Sequence, residues 1–136
     1  DGSGAPNLTL KDNDGVDGVD GQVLYMNGPK VLDFTMDAVP DSVLRLIDKA
    51  DLVLADIDMF VFHQASKVVL DRVRRALDID EAKMFRNYQD MGNTVSATIP
   101  IALKQAQSEG MLVSDMKVLI MGFGVGYSLA GCIVRT

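Results

Sequence analysis

The chain has 136 residues, 48% of them hydrophobic, with one cysteine and a formal net charge of −6 at pH 7. The acidic balance argues against a nucleic-acid partner, a single cysteine allows no disulfide framework, and no apolar run approaches the ~18–20 residues of a membrane-spanning helix. A mean hydropathy of +0.15 is high for a free domain of this size, so the excess implies a large interface or a place within a bigger domain.

Residues 1–22 are dominated by Gly, Asp and Asn and read as a solvated acidic loop, with residues 23–136 as the core. A start at Asp1, without an initiator Met, signal peptide or targeting motif, reads as the middle of a longer chain. The aspartates do not make a calcium loop. An EF-hand opening at Asp12 needs Gly and Glu at positions where this chain has Asp17 and Val23.

Residues 23–26 suggest a short strand closed by a turn at Asn27-Gly28. From Lys30, the residues Val31, Phe34 and Ala38, then Val43, Leu44 and Ile47, follow helical spacing. Pro40 between the two sets is expected to kink or restart that helix. Met59-Phe60-Val61-Phe62 is a short continuous apolar run, the pattern of a strand buried on both faces. It delivers the chain's one histidine, His63, to a strand's carboxyl end, where open α/β sheets keep their ligands. A hydrogen-bonded core histidine is the plainer alternative.

Ser66 can cap the helix that follows. Val69, Val73, Ala76 and Leu77 form its apolar stripe, while Lys67, Asp71, Arg74 and Arg75 fall on the outer side. Residues 85–88 read as a short strand leading into Gly92-Asn93-Thr94-Val95-Ser96-Ala97-Thr98-Ile99-Pro100. Asn93 or Thr94 can cap the next helix, which carries Ile99, Leu103 and Ala106 on one face and stops at Gly110. Residues 117–123 and 127–135 then pair as a hairpin around Gly124-Val125-Gly126. Cys132, in the apolar run 129–134, reads as a small buried hydrophobe and not as a nucleophile. Helices interleaved with apolar strands and a terminal antiparallel pair make the chain α/β.

In this order, His63-Gln64-Ala65-Ser66, the Gly92–Pro100 stretch and Gly122-Phe123-Gly124-Val125-Gly126 are far more specific together than apart. The chain resembles the carboxyl-terminal half of 3-oxoacyl-(acyl carrier protein) synthase III, in the thiolase-like condensing-enzyme superfamily. The likeness is clearest over residues 24–135. It implies a thiolase-like α/β fold, C-terminal half only, with a mixed sheet flanked by helices. It also implies a decarboxylative Claisen condensation of an acyl-cysteine with malonyl-acyl carrier protein in fatty acid biosynthesis. Acyl-CoA and malonyl-acyl carrier protein would be the substrates, with no cofactor and no metal.

By the same resemblance, His63 and Asn93 match the two side chains that stabilise the enolate of the malonyl thioester. Two fixed donors suit that task, since losing one such donor typically costs about 3–4 kcal/mol of barrier. Val125 matches the position whose backbone N–H completes the oxyanion hole for the acyl-cysteine step. Lys67 and Arg75 are candidates for docking the acidic acyl carrier protein. The nucleophilic cysteine would lie in the missing amino-terminal half, so the fragment alone is expected to be inactive. A cytoplasmic homodimer is implied as well.

Three positions depart from the family pattern. Ser66 stands where Asn is common, Met91 where Tyr or His precedes Gly-Asn-Thr, and Val125 where Gly is usual, although a β-branched residue resists positive φ. They mark a divergent member. Left open are an acyltransferase or condensing enzyme of secondary metabolism, and a non-catalytic partner subunit that shapes a substrate tunnel.

Overall fold

The computed structural model describes residues 2–12 and 21–136. A 3-10 turn over Gly2–Asn7 leads into strand β1, Leu8–Asp12, which pairs antiparallel with β2, Gln22–Met26. Leu8 lies opposite Met26 and Leu10 opposite Leu24. Residues 8–12 are therefore a strand and not part of a loop. Leu8-Thr9-Leu10 alternates with the period of a strand, and its partner across the Asp-rich stretch supplies the missing hydrogen bonds. The centre of that stretch, with Asp17 of the rejected calcium loop, lies outside the described residues.

Asn27 starts a helix and does not close a turn. Its side chain accepts the Lys30 N–H at 3.3 Å, and Pro29 sits in the first turn of α1, Gly28–Lys49, where a missing N–H is tolerated. The helix runs on through Pro40. Thr35, Val39, Val43 and Ile47 are buried along one stripe, and that packing outweighs the hydrogen bond Pro40 removes. Leu44, one residue off the stripe, is 51% exposed, contrary to its expected place on the apolar face.

Strand β3, Met59–Phe62, is buried at every position, as its composition requires. Phe60 and Phe62 pack with Val39, Val43, Leu70 and Val73 on one side. Met59 and Val61 pack with Ala102 and Ala106 on the other. Ser66 caps α2, Lys67–Ala76, by accepting the Val69 N–H at 3.4 Å. The inward stripe of α2 is Leu70, Val73 and then Leu77, whereas Ala76 is exposed.

Residues 85–88 do not form the expected strand. Met84 makes one parallel bridge to Phe60, and the chain then turns into the short helix α3, Tyr88–Met91. The reason is Gln64. Its buried side chain donates to Phe62 O at 2.8 Å and accepts the Asn87 N–H at 3.0 Å, filling the place of the next strand-to-strand rung.

A 3-10 turn over Val95–Ala97 precedes α4, Thr98–Ser108, and Gly110 follows it in a left-handed conformation with φ of 72°. Strands β4, Lys117–Gly124, and β5, Ser128–Arg135, complete a mixed sheet of order β3-β4-β5. β3 and β4 are parallel, while β4 and β5 are antiparallel. Helices α1 and α2 cover one face and α4 the other, so the architecture is α/β. Leu129 and Ile133 of the edge strand β5 pack on the α1 side. Cys132 stands on the opposite face and is exposed, which corrects its reading as a buried hydrophobe. Among the described residues nothing covers Cys132 on that face, which the apolar character of its sequence neighbours cannot reveal.

Candidate functional site

His63 lies one residue beyond β3, with its backbone N–H donated to Met121 O at 2.9 Å. Parallel pairing with β4 thus fixes the backbone at the point where the imidazole leaves the sheet. The ring is half-buried, and its Nδ1 is 2.7 Å from Thr98 Oγ1. Phe123 of β4 meets it edge-on at 5.3 Å between centroids. Burial disfavours the imidazolium, so the pKa lies below the ordinary 6.5.

The second loop begins where α3 stops at Gly92, with φ of 66°. Asn93 Oδ1 accepts the Val95 N–H at 2.9 Å, and its two Nδ2 protons have no hydrogen-bond partner among the described residues. The bond closes a side-chain turn ahead of the 3-10 turn, and neither Asn93 nor Thr94 caps α4, whose N-cap residue is Ala97. Val95 holds φ of 55°, a left-handed conformation that a β-branched residue adopts at a cost of about 1–3 kcal/mol. Its carbonyl accepts from the Thr98 N–H and from Thr98 Oγ1 at 3.1 Å. Strain of this kind is held only where surrounding bonds over-determine the backbone.

The third loop joins β4 to β5. The Ser128 hydroxyl closes it by donating to Val125 O at 2.8 Å. Positive φ falls on Gly126, at 133°, and not on Val125. The substitution of Val for the family's usual Gly therefore meets no left-handed strain.

All three loops open on one cavity of about 570 Å³, which His63, Asn93, Thr98, Phe123 and Val125 help to line. Leu8, Leu24 and Met26 of the β1–β2 hairpin form an apolar wall of it. A mostly apolar cavity with a few convergent polar groups is the usual make-up of a small-molecule site. Sequence reasoning missed Thr98, Phe123 and the hairpin wall. The period-two alternation of Leu8 and Leu10, and of Leu24 and Met26, was the one available signal for the wall.

Lys67 and Arg75 lie away from the cavity, on α2. Lys67 is engaged with Asp71, whose other carboxylate oxygen takes Arg86 Nη1 at 2.8 Å. That hydrogen bond from Lys67 is the first cause holding the Asp71 carboxyl below its ordinary range. Arg75 is exposed and has no ion pair among the described residues. Among the described residues no cluster of His, Cys, Asp and Glu could hold a metal ion, and no helix is long and apolar enough to cross a membrane.

A family model described as 3-oxoacyl-[acyl-carrier-protein (ACP)] synthase III C terminal matches residues 47–136. The chain belongs to this family. A β-ketoacyl-[acyl-carrier-protein] synthase III of Synechocystis sp. is 37% identical over 114 residues, which are 84% of this chain and 34% of that protein. A crystal structure of a 3-oxoacyl-(acyl-carrier-protein) synthase III superposes with TM-score 0.90 at 38% identity, covering 100% of this chain and 45% of that one. The priming β-ketosynthase of the R1128 polyketide pathway gives TM-score 0.89 at 28% identity, covering 99% of this chain and 42% of that one. The chain thus spans between about a third and just under half of its synthase III relatives, and its fold is thiolase-like.

Proposed function

We propose that this chain is the carboxyl-terminal half of a β-ketoacyl-acyl carrier protein synthase III-like enzyme of fatty acid biosynthesis. The reaction joins an acyl-cysteine to malonyl-acyl carrier protein. The malonyl C–CO₂ bond breaks, and its electron pair passes through an enolate to the acyl carbonyl. Carbon dioxide leaves as the enolate forms, and the acyl C–S bond then breaks, returning the cysteine thiolate. The observation that carries this reading is that His63 and Asn93, from loops 30 residues apart in sequence, line one cavity.

In this reading the Asn93 amide and the His63 ring face the malonyl thioester oxygen, where negative charge develops, and the amide protons donate directly. The Val125 N–H serves the acyl-cysteine step, and the apolar wall of Leu8, Leu24 and Met26 borders the acyl group. The nucleophilic cysteine, the second half of the domain and the homodimer partner come from outside this chain. The enzyme is cytoplasmic, uses acyl-CoA as primer, needs no cofactor, and docks acyl carrier protein through Arg75, with Lys67 secondary.

A second reading, a condensing enzyme of secondary metabolism, is favoured by the likeness to the priming β-ketosynthase. Primer preference in the intact protein separates the two.

The test is decarboxylation of a malonyl thioester by the intact protein carrying His63→Ala, Asn93→Ala or both. Each single change is expected to cost roughly 10²–10³-fold, and the double change about as much as one single, because the pair acts as a unit. Near wild-type turnover in either single variant would defeat the proposed roles of His63 and Asn93, and no decarboxylation by the wild type would favour a non-catalytic subunit.

A further inference from the structure

The His63 ring is held through one hydroxyl. Thr98 Oγ1 lies 2.7 Å from His63 Nδ1 and 3.1 Å from Val95 O. A hydroxyl has a single proton, and a carbonyl oxygen can only accept. With the Thr98 proton directed at Val95 O, Nδ1 must be the donor to Oγ1. Neutral imidazole then carries its proton on Nδ1 and leaves Nε2 bare. The opposite arrangement, Thr98 donating into Nδ1, forfeits the bond to Val95 O. One arrangement makes two hydrogen bonds and the other makes one.

The surroundings favour the first. Val95 O also receives the Thr98 N–H, and its two lone pairs accommodate both donors. Thr98 is 3% exposed, so water does not stand in for a lost bond. Nε2 has no hydrogen bond among the described residues and is the ring nitrogen left for the cavity. Burial keeps the ring neutral near pH 7. The left-handed Val95 aims its carbonyl at Thr98, which gives its strained backbone a purpose.

We propose that Thr98 is a positioning residue that fixes His63 as the Nδ1–H tautomer and presents Nε2 to the cavity as a proton acceptor. Combined with the condensing-enzyme reading, on which this consequence rests, the first donor to the thioester oxygen is the Asn93 amide. His63 donates from Nε2 only after it has taken a proton there, the S–H proton of the nucleophilic cysteine as that thiol becomes the attacking thiolate. The Nδ1–H to Thr98 to Val95 chain needs no rearrangement when that happens, because imidazolium also donates from Nδ1.

The test is nitrogen-15 NMR of the intact protein labelled at histidine, near pH 7, with the His63 signals assigned by their loss in His63→Gln. The expected pattern is a protonated Nδ1 and a pyridine-like Nε2. A protonated Nε2 in the wild type would overturn the proposal. Thr98→Val is expected to move the population toward Nε2–H, and Thr98→Ser to retain the wild-type pattern. An unchanged Nδ1–H pattern in folded Thr98→Val would remove Thr98 from the role. If Thr98→Val does not fold, the wild-type and Thr98→Ser spectra decide. Because the spectrum reads the tautomer without turnover, it stands apart from the alanine test of the reaction.

Discussion

Phe123 meets His63 edge-on, with ring centroids 5.3 Å apart and planes inclined at 83°. The aromatic ring thus braces the imidazole from β4 while Thr98 holds Nδ1 from α4. Such a contact is worth about 0.5–1.5 kcal/mol beyond area burial. Phe123→Leu in the intact protein is therefore expected to lower kcat for malonyl decarboxylation roughly 2- to 13-fold. Steady-state kinetics check this, and an unchanged kcat would show that the brace is idle.

The His63 titration has a definite sign. Burial penalises imidazolium, so the midpoint followed by the Hε1 proton NMR signal should fall below 6.5. The unfolded chain then takes up its proton first as pH drops. The resulting contribution to stability is complete above pH 6.5 and is lost as pH falls through 6.5 toward the folded midpoint. Urea midpoints of wild type minus His63→Gln, plotted against pH, should show that decline. A midpoint above 6.5 would contradict the burial argument.

Gln64 is fully buried and satisfies Phe62 O and the Asn87 N–H together. Gln64→Leu keeps the volume and orphans both groups, at about 1–3 kcal/mol each. Urea unfolding should register the sum. A loss under about 0.5 kcal/mol, within the range of ordinary surface changes, would mean that other groups replace the amide.

Docking of an acidic carrier through α2 is expected to depend on Arg75 more than on Lys67, because Asp71 already engages Lys67. Arg75→Glu should weaken turnover of carrier-linked malonyl most at low salt and leave a small malonyl thioester nearly unaffected. Equal loss with both substrates would make the face structural. Lys67→Glu is expected to destabilise instead, since it sets a carboxylate beside Asp71.

Val95 carries left-handed backbone on a β-branched residue that is 71% exposed. Asn tolerates that conformation, so Val95→Asn should raise stability by about 1 kcal/mol. Thermal unfolding measures it, and a loss of stability would show that the valine side chain contributes packing outweighing the strain.

The order and kind of β3, α2, α4 and the β4–β5 pair were legible in the sequence, because they rest on short-range patterns, whereas the strand expected over residues 85–88 was not formed. A continuous apolar run makes β3 buried on both faces, His63 follows where that run ends, Ser66 caps α2, and Gly110 stops α4. The three motifs in sequence order were enough to indicate the family. What the sequence left open depends on which distant surfaces meet. Thr98 reaches His63 across 35 positions of chain, and only the packing of α4 beside β3 brings them together. The hairpin of β1 and β2 became a cavity wall by pairing across the Asp-rich stretch, a long-range choice that local composition masks. Cys132 looked buried because its neighbours are apolar, yet among the described residues β5 is the edge strand and its face at Cys132 is open. Periodicity reports the local path of a chain and the residues that share a face. Whether that face is covered, and which side chains from other elements enclose a site, is decided by the tertiary arrangement.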